Sequence, residues 1–128
     1  MRLLLDTHAL LWWLAGERRL SRRARSTIED ESNTVYVSAA SAWEVATKHR
    51  IGRLPDVAGL ASEFAREVAQ QGFVGLDITL DHGQRAGNLP GPHRDPFDRM
   101  LIAQAQAENL WLVSNEAIFD RYGITRIW

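Results

Sequence analysis

Five short apolar or β-branched runs, at residues 3–5, 34–37, 73–77, 111–113 and 124–128, are each separated from the next by helical stretches or a helical turn. That alternation constrains the fold more than any other feature. Strands joined by helical crossovers pair in parallel, and a parallel sheet needs cover on both faces. The pattern predicts an α/β chain with a parallel sheet flanked by helices on both sides. No repeat, low-complexity tract or linker interrupts it, so residues 1–128 read as a single domain. In such folds ligands lie beyond the carboxyl ends of the strands, and chemistry is to be sought there.

The intervening segments carry their own signals. Residues 7–15 hold two adjacent tryptophans and are apolar nearly all round, which predicts a helix that is buried or covered by a partner. Ser21 can cap a helix running to about residue 32, and Ser41 one running through about residue 50. Residues 58–71 are amphipathic, and a short helix over 80–86 precedes a Gly- and Pro-rich loop at 87–92. Asp95 followed by Pro96 opens a long helix to about residue 109, and residues 116–120 form a helical turn.

Placing these elements in order brings acids to the carboxyl edge. Asp6 ends the first strand, and Glu44 falls in the first turn of the helix that Ser41 opens. Asp95 and Asp98 begin the helix leading to the fourth strand, and Glu116 follows that strand. Each has a structural explanation as well. Asp6 and Asp95 are good N-caps, Glu44 completes a capping box with Ser41 or pairs with Lys48, and Glu116 suits the first turn of a helix. Asp98 shares its helical face with Leu101, Ile102 and Ala105, where a charge needs a partner.

Together the acids point to metal chemistry. Several carboxylates in one pocket raise one another's pKa, and a hard dication relieves that conflict. Magnesium and manganese prefer oxygen ligands and can lower the pKa of a bound water for attack on a phosphodiester. Zinc fits less well: the chain has no cysteine, and His8, His49, His82 and His93 are scattered, most of them expected at the surface or behind a site. A net charge of −1 does not advertise a nucleic-acid binder, but Arg18, Arg19, Arg22, Arg23 and Arg25 cluster, and Arg94 and Arg99 flank the later acids. Arg22, Arg23, Arg94 and Arg99 are the candidates for phosphate contacts, although a solvated helix face is the more ordinary explanation of the first group. The first fifteen residues carry Arg2, Asp6 and His8 and do not read as a signal peptide; with no membrane-spanning run, a cytoplasmic protein is expected.

The residues around these acids are similar to a known family. Leu3-Leu4-Leu5-Asp6-Thr7-His8-Ala9-Leu10-Leu11-Trp12-Trp13 resembles the first motif of PIN-domain toxins of the VapC type, and Val37-Ser38-Ala39-Ala40-Ser41-Ala42-Trp43-Glu44-Val45 the second. The run from His93 to Ala105 resembles the third, and Leu112-Val113-Ser114-Asn115-Glu116 with Phe119, Tyr122 and Gly123 the fourth. The resemblance spans the chain in order. It implies a five-stranded parallel sheet of order 3-2-1-4-5, magnesium- or manganese-dependent RNA cleavage, a bacterial or archaeal source, a homodimer and a cognate VapB-like antitoxin. It assigns Asp6, Glu44 and Asp98 to an acidic triad with Glu116 as the fourth ligand. Thr7, Asp95, Ser114 and Asn115 would act behind them. Ser114 and Glu116 stand where the family more often has threonine and aspartate, so contact of Glu116 with metal through water or directly stays open.

Other readings remain. Trp12 and Trp13 cannot easily both face one core, so either one of them lies in a partner groove or both fill the interior, and the sequence favours neither. A receiver-like phosphorylation domain would need a lysine near the last strand, whereas the sole lysine is Lys48; a haloacid-dehalogenase-type phosphatase would need an acid at His8. A housekeeping RNA-processing nuclease and an inactive PIN-like interaction module are the alternatives left.

Overall fold

The computed structural model describes all 128 residues. Five parallel strands, β1 (Arg2–Leu5), β2 (Thr34–Ser38), β3 (Val74–Leu76), β4 (Trp111–Val113) and β5 (Arg126–Ile127), form one sheet in the order β3-β2-β1-β4-β5. This is the expected order. β1 lies at the centre, with Leu3 opposite Val35 on one side and Trp111 on the other, and its three leucines are fully buried.

Six helices connect the strands: α1 (Thr7–Ala15), α2 (Arg22–Glu29), α3 (Ala39–Arg50), α4 (Leu60–Gln70), α5 (Leu80–Asn88) and α6 (Pro96–Glu108), with a 3-10 turn at Ala117–Tyr122. Because strand side chains alternate, the sheet sorts its residues between two cores. Leu3, Leu5, Val35, Val37 and Val113 pack with Leu10, Ile28, Val45 and Leu60 from α1 to α4. Leu4 and Leu112 pack on the opposite face with Leu101, Ile102, Ala105 and Phe119, from α6 and the 3-10 turn.

The element boundaries differ from expectation in ways that have local causes. Ser38, not Ser41, caps α3: its hydroxyl accepts from the Ala40 amide at 2.9 Å, so β2 runs into α3 with no loop. Glu44 therefore lies beyond the first turn, and the capping box read at Ser41 does not form. α2 stops at Glu29 because Asp30 accepts from both the amide and the hydroxyl of Ser32, closing a turn. α5 extends to Asn88, past its glycines, and starts with a Thr79–His82 capping box. The outer strands β3 and β5 are shorter than their sequence runs. No helix is long and apolar enough to cross a membrane.

Candidate active site

β1 ends at Leu5, and Asp6 turns the chain into α1: its Oδ1 accepts from the Ala9 amide at 2.8 Å, while its own amide donates to the Val113 carbonyl at 3.1 Å. The capping role and a chemical role are thus both open to one side chain, which has a second oxygen. Asp6 is 3% exposed. Burial raises its pKa to about 6; the Ser114 hydroxyl and the Ala9 amide act against this, and the charges of Glu116 and Glu44 add to it. No basic side chain pairs with it.

Glu44 reaches the same place from α3. The buried Thr7 hydroxyl donates to its Oε1 at 2.6 Å and lies 3.0 Å from the Ser41 hydroxyl. Its Oε2 is bonded to the Lys48 ammonium, one turn along the helix. Partial burial works against the Lys48 charge, but the Glu44 hydrogen bond and the charges of Glu44, Asp95 and Asp98 outweigh it and lift its pKa.

The amino end of α6 supplies the third acid. Asp95 is the N-cap expected from the Asp-Pro pair and accepts from the amides of Phe97 and Asp98 at 2.9 and 3.0 Å. Asp98 extends from the first turn with its Oδ2 2.9 Å from His93 Nε2. Burial first, then the charges of Asp95 and Glu116, push its pKa up to about 7, against the pull of His93. Glu116 stands at the start of the 3-10 turn, its amide donating to the Ser114 hydroxyl at 3.0 Å. It is the acid whose charge is felt by both Asp6 and Asp98.

Asp6, Glu44, Asp98 and Glu116 thus share one electrostatic neighbourhood, with Thr7, Asp95 and Ser114 bonded to the acids or to the backbone that carries them. Their donor set is all oxygen, as a hard cation requires. As they stand, however, no three His, Asp or Glu side chains are arranged to hold a metal ion. Glu44 and Asp98 are instead engaged by Lys48 and His93. The i to i+4 spacing of Glu44 and Lys48 is readable in sequence; the His93 contact, across the start of α6, is not.

Several expected roles change. Arg99 is not free to hold phosphate: its guanidinium donates to the carbonyls of Ala86, Gly87, Leu89 and His93 at 2.7 to 3.4 Å, fastening the segment between α5 and α6. Asn115 is exposed and bonds to none of the acids. His82 is 1% exposed and belongs to the cap of α5, with Nε2 3.0 Å from Glu108. Arg22, Arg23 and Arg94 are exposed. Trp12 and Trp13 both pack on the larger core from its rim: Trp12 edge-on to Trp128 under Arg19, Trp13 near Phe73 under Arg25. Trp43, 61% exposed, meets Phe97 edge-on at 4.8 Å and so joins the two helices that carry Glu44 and Asp98. A separate apolar cleft lined by Val37, Phe64, Val68, Phe73 and Leu76 contains none of these acids.

Comparison with known proteins agrees with the fold. The family model described as PIN domain matches residues 3–124. Ribonuclease VapC16 of Mycobacterium tuberculosis is 36% identical over 62 residues, which is 48% of this chain and 43% of that relative's length. The structure of VapBC2 from Rickettsia felis bound to a DNA fragment from their promoter is similar with a TM-score of 0.71, at 17% identity over 98% of this chain and 97% of that one. The structure of Mycobacterium tuberculosis VapC20, a Sarcin-Ricin loop cleaving toxin, gives 0.69 at 15% identity over 96% of each chain. At these identities the structural likeness is one of fold.

Proposed function

This chain belongs to the PIN-domain family, and from that premise we propose that it is a magnesium- or manganese-dependent ribonuclease, the toxin of a VapBC-type pair. The observation that carries the reading is Asp6, 3% exposed, with no basic partner and in the field of Glu44 and Glu116. A buried carboxylate in that setting gains from a hard cation and costs stability without one. Asp6, Glu44, Asp98 and Glu116 would hold the ion. Bound there, it would neutralise the acids and lower the pKa of a water for attack on phosphorus, leaving a 5′-phosphate and a 3′-hydroxyl.

The chain's own residues do the positioning. Thr7 fixes one oxygen of Glu44, Ser114 steadies Asp6 and the start of the segment carrying Glu116, and Asp95 sets the first turn of α6 so that Asp98 stays at the edge of the sheet. Arg94, exposed beside these acids in sequence, is the candidate for an RNA phosphate, and Arg22 and Arg23 for more distant ones. VapC16 is a ribonuclease and VapC20 cleaves the Sarcin-Ricin loop, which supports RNA as the substrate class. The Rickettsia felis assembly supports a VapB-like antitoxin as partner. A homodimeric toxin acting in the cytoplasm belongs to the same proposal.

The deciding experiment uses purified wild type, Asp6→Asn and Asp98→Asn with single-stranded RNA and either metal. Both variants keep the wild-type circular dichroism spectrum and lose cleavage. Cleavage at the wild-type rate in either one overturns the assignment.

A further inference from the structure

Lys48 is the only lysine in the chain, and its ammonium lies on a carboxylate proposed to bind metal. The pair differs from an ordinary surface i, i+4 bridge, which contributes little. The Glu44 side chain is 6% exposed and that of Lys48 34%, so the lysine reaches inward to a nearly buried acid. With Thr7 on Oε1 and Lys48 on Oε2, both oxygens of Glu44 are engaged by the protein. Asp95 and Asp98, on α6, also act on the Lys48 charge. A buried carboxylate needs such a counter-charge. While Lys48 supplies it, Glu44 is held by Lys48 and Thr7 together.

We propose that Lys48 is a resident counter-cation that holds Glu44 in the metal-free protein and must be displaced before a divalent ion can gain that carboxylate. Lys48 thereby sets the metal concentration at which the site assembles. It is a positioning residue, acting through Glu44. The inference rests on the metal-dependent reading above.

The test is a thermal-shift titration of metal-stripped full-length protein with manganese alone and with magnesium alone, in wild type, Lys48→Gln and Lys48→Arg. Wild type is stabilised by the metal. K48Q reaches a given shift at about tenfold lower metal, because nothing competes for Glu44, while K48R needs a concentration within about threefold of wild type. A K48Q concentration for that same shift equal to or above that of wild type overturns the role of Lys48 and leaves the metal reading standing. No shift in wild type at millimolar metal overturns both. If K48Q does not fold, Lys48→Met, which keeps the packing of the stem, is titrated in its place and read by the same criterion.

Discussion

Asp6 makes the metal-free protein sensitive to pH in a direction opposite to that of most folded carboxylates. Its pKa rises from 3.8 to about 6 on folding, chiefly through burial. The folded form therefore keeps a proton that the unfolded chain gives up, and stability falls as pH rises from about 4 to about 6. At about 1.36 kcal/mol per pH unit the loss is on the order of 3 kcal/mol. Asp6→Asn removes this dependence, so in chelator the variant gains on wild type across that window and holds the gain above it. Urea unfolding of both proteins between about pH 4 and pH 8 measures this, and a constant difference refutes it. Thr7 gives a second prediction at this scale. Thr7→Val keeps the shape but removes the 2.6 Å bond to Glu44, and RNA cleavage should drop about 10- to 100-fold with the fold intact. Wild-type turnover by that variant would count against Thr7 as the residue that orients Glu44. Asp6 is legible in the sequence because an acid just after a buried strand of a parallel sheet has one place to go. The His93 contact is not, since five residues across a helix start define no fixed geometry by themselves.

At the scale of elements, type is easier to read than boundary. Both Ser38 and Ser41 are good caps, and the sequence favours Ser41 because Glu44 follows it at capping-box spacing. What decides in favour of Ser38 is tertiary: β2 pairs with β3 through Ser38 itself, and the helix begins at the next residue. The cap at Asp95 is legible because proline at the following position leaves few alternatives. Arg99 misleads because an arginine beside two aspartates looks like a phosphate ligand, whereas two backbone carbonyls at the end of α5 and two of the α5–α6 segment take its donors. That segment includes Gly91, at φ +98°, where a Cβ would sit 2.9 Å from the Tyr122 hydroxyl, and His93, whose amide donates to that hydroxyl at 3.2 Å. Arg99 and Tyr122 thus hold the stretch from which His93 reaches Asp98. Arg99→Met should cost about 2 kcal/mol in urea unfolding and speed proteolysis between residues 87 and 94. Arg99→Lys restores less than half, since an ammonium cannot span the carbonyls that the planar fork reaches. Stability of Arg99→Met within about 0.5 kcal/mol of wild type removes the clamp.

For the molecule as a whole, the alternation of strands and helices makes the two-sided sheet legible, and the motif resemblance supplies its order. What neither can give is how a chain of net charge −1, with acids gathered at one edge, would hold the polyanion proposed as its substrate. The arginines divide by environment. Arg19 and Arg25 lie over Trp12 and Trp13, Arg126 pairs with Asp120, and Arg99 is spent on carbonyls. Arg22, Arg23 and Arg94 are exposed with no ion pair, as are Arg18, Arg50, Arg53, Arg66 and Arg121. If RNA binding draws on the first three, neutralising them releases fewer counterions and flattens the salt dependence as well as weakening affinity. Removing one arginine–phosphate pairing on a single strand lowers the slope of log K against log salt by about 0.7. The triple change Arg22→Gln, Arg23→Gln, Arg94→Gln should therefore shallow that slope by up to about 2, measured by fluorescence anisotropy with the uncleaving Asp98→Asn protein as background. Arg99→Lys in the same background should leave the slope unchanged, because Arg99 gives its donors to the chain. A triple variant with the slope of its parent would mean that RNA is held elsewhere, and the exposed arginines would revert to a solvated helix face.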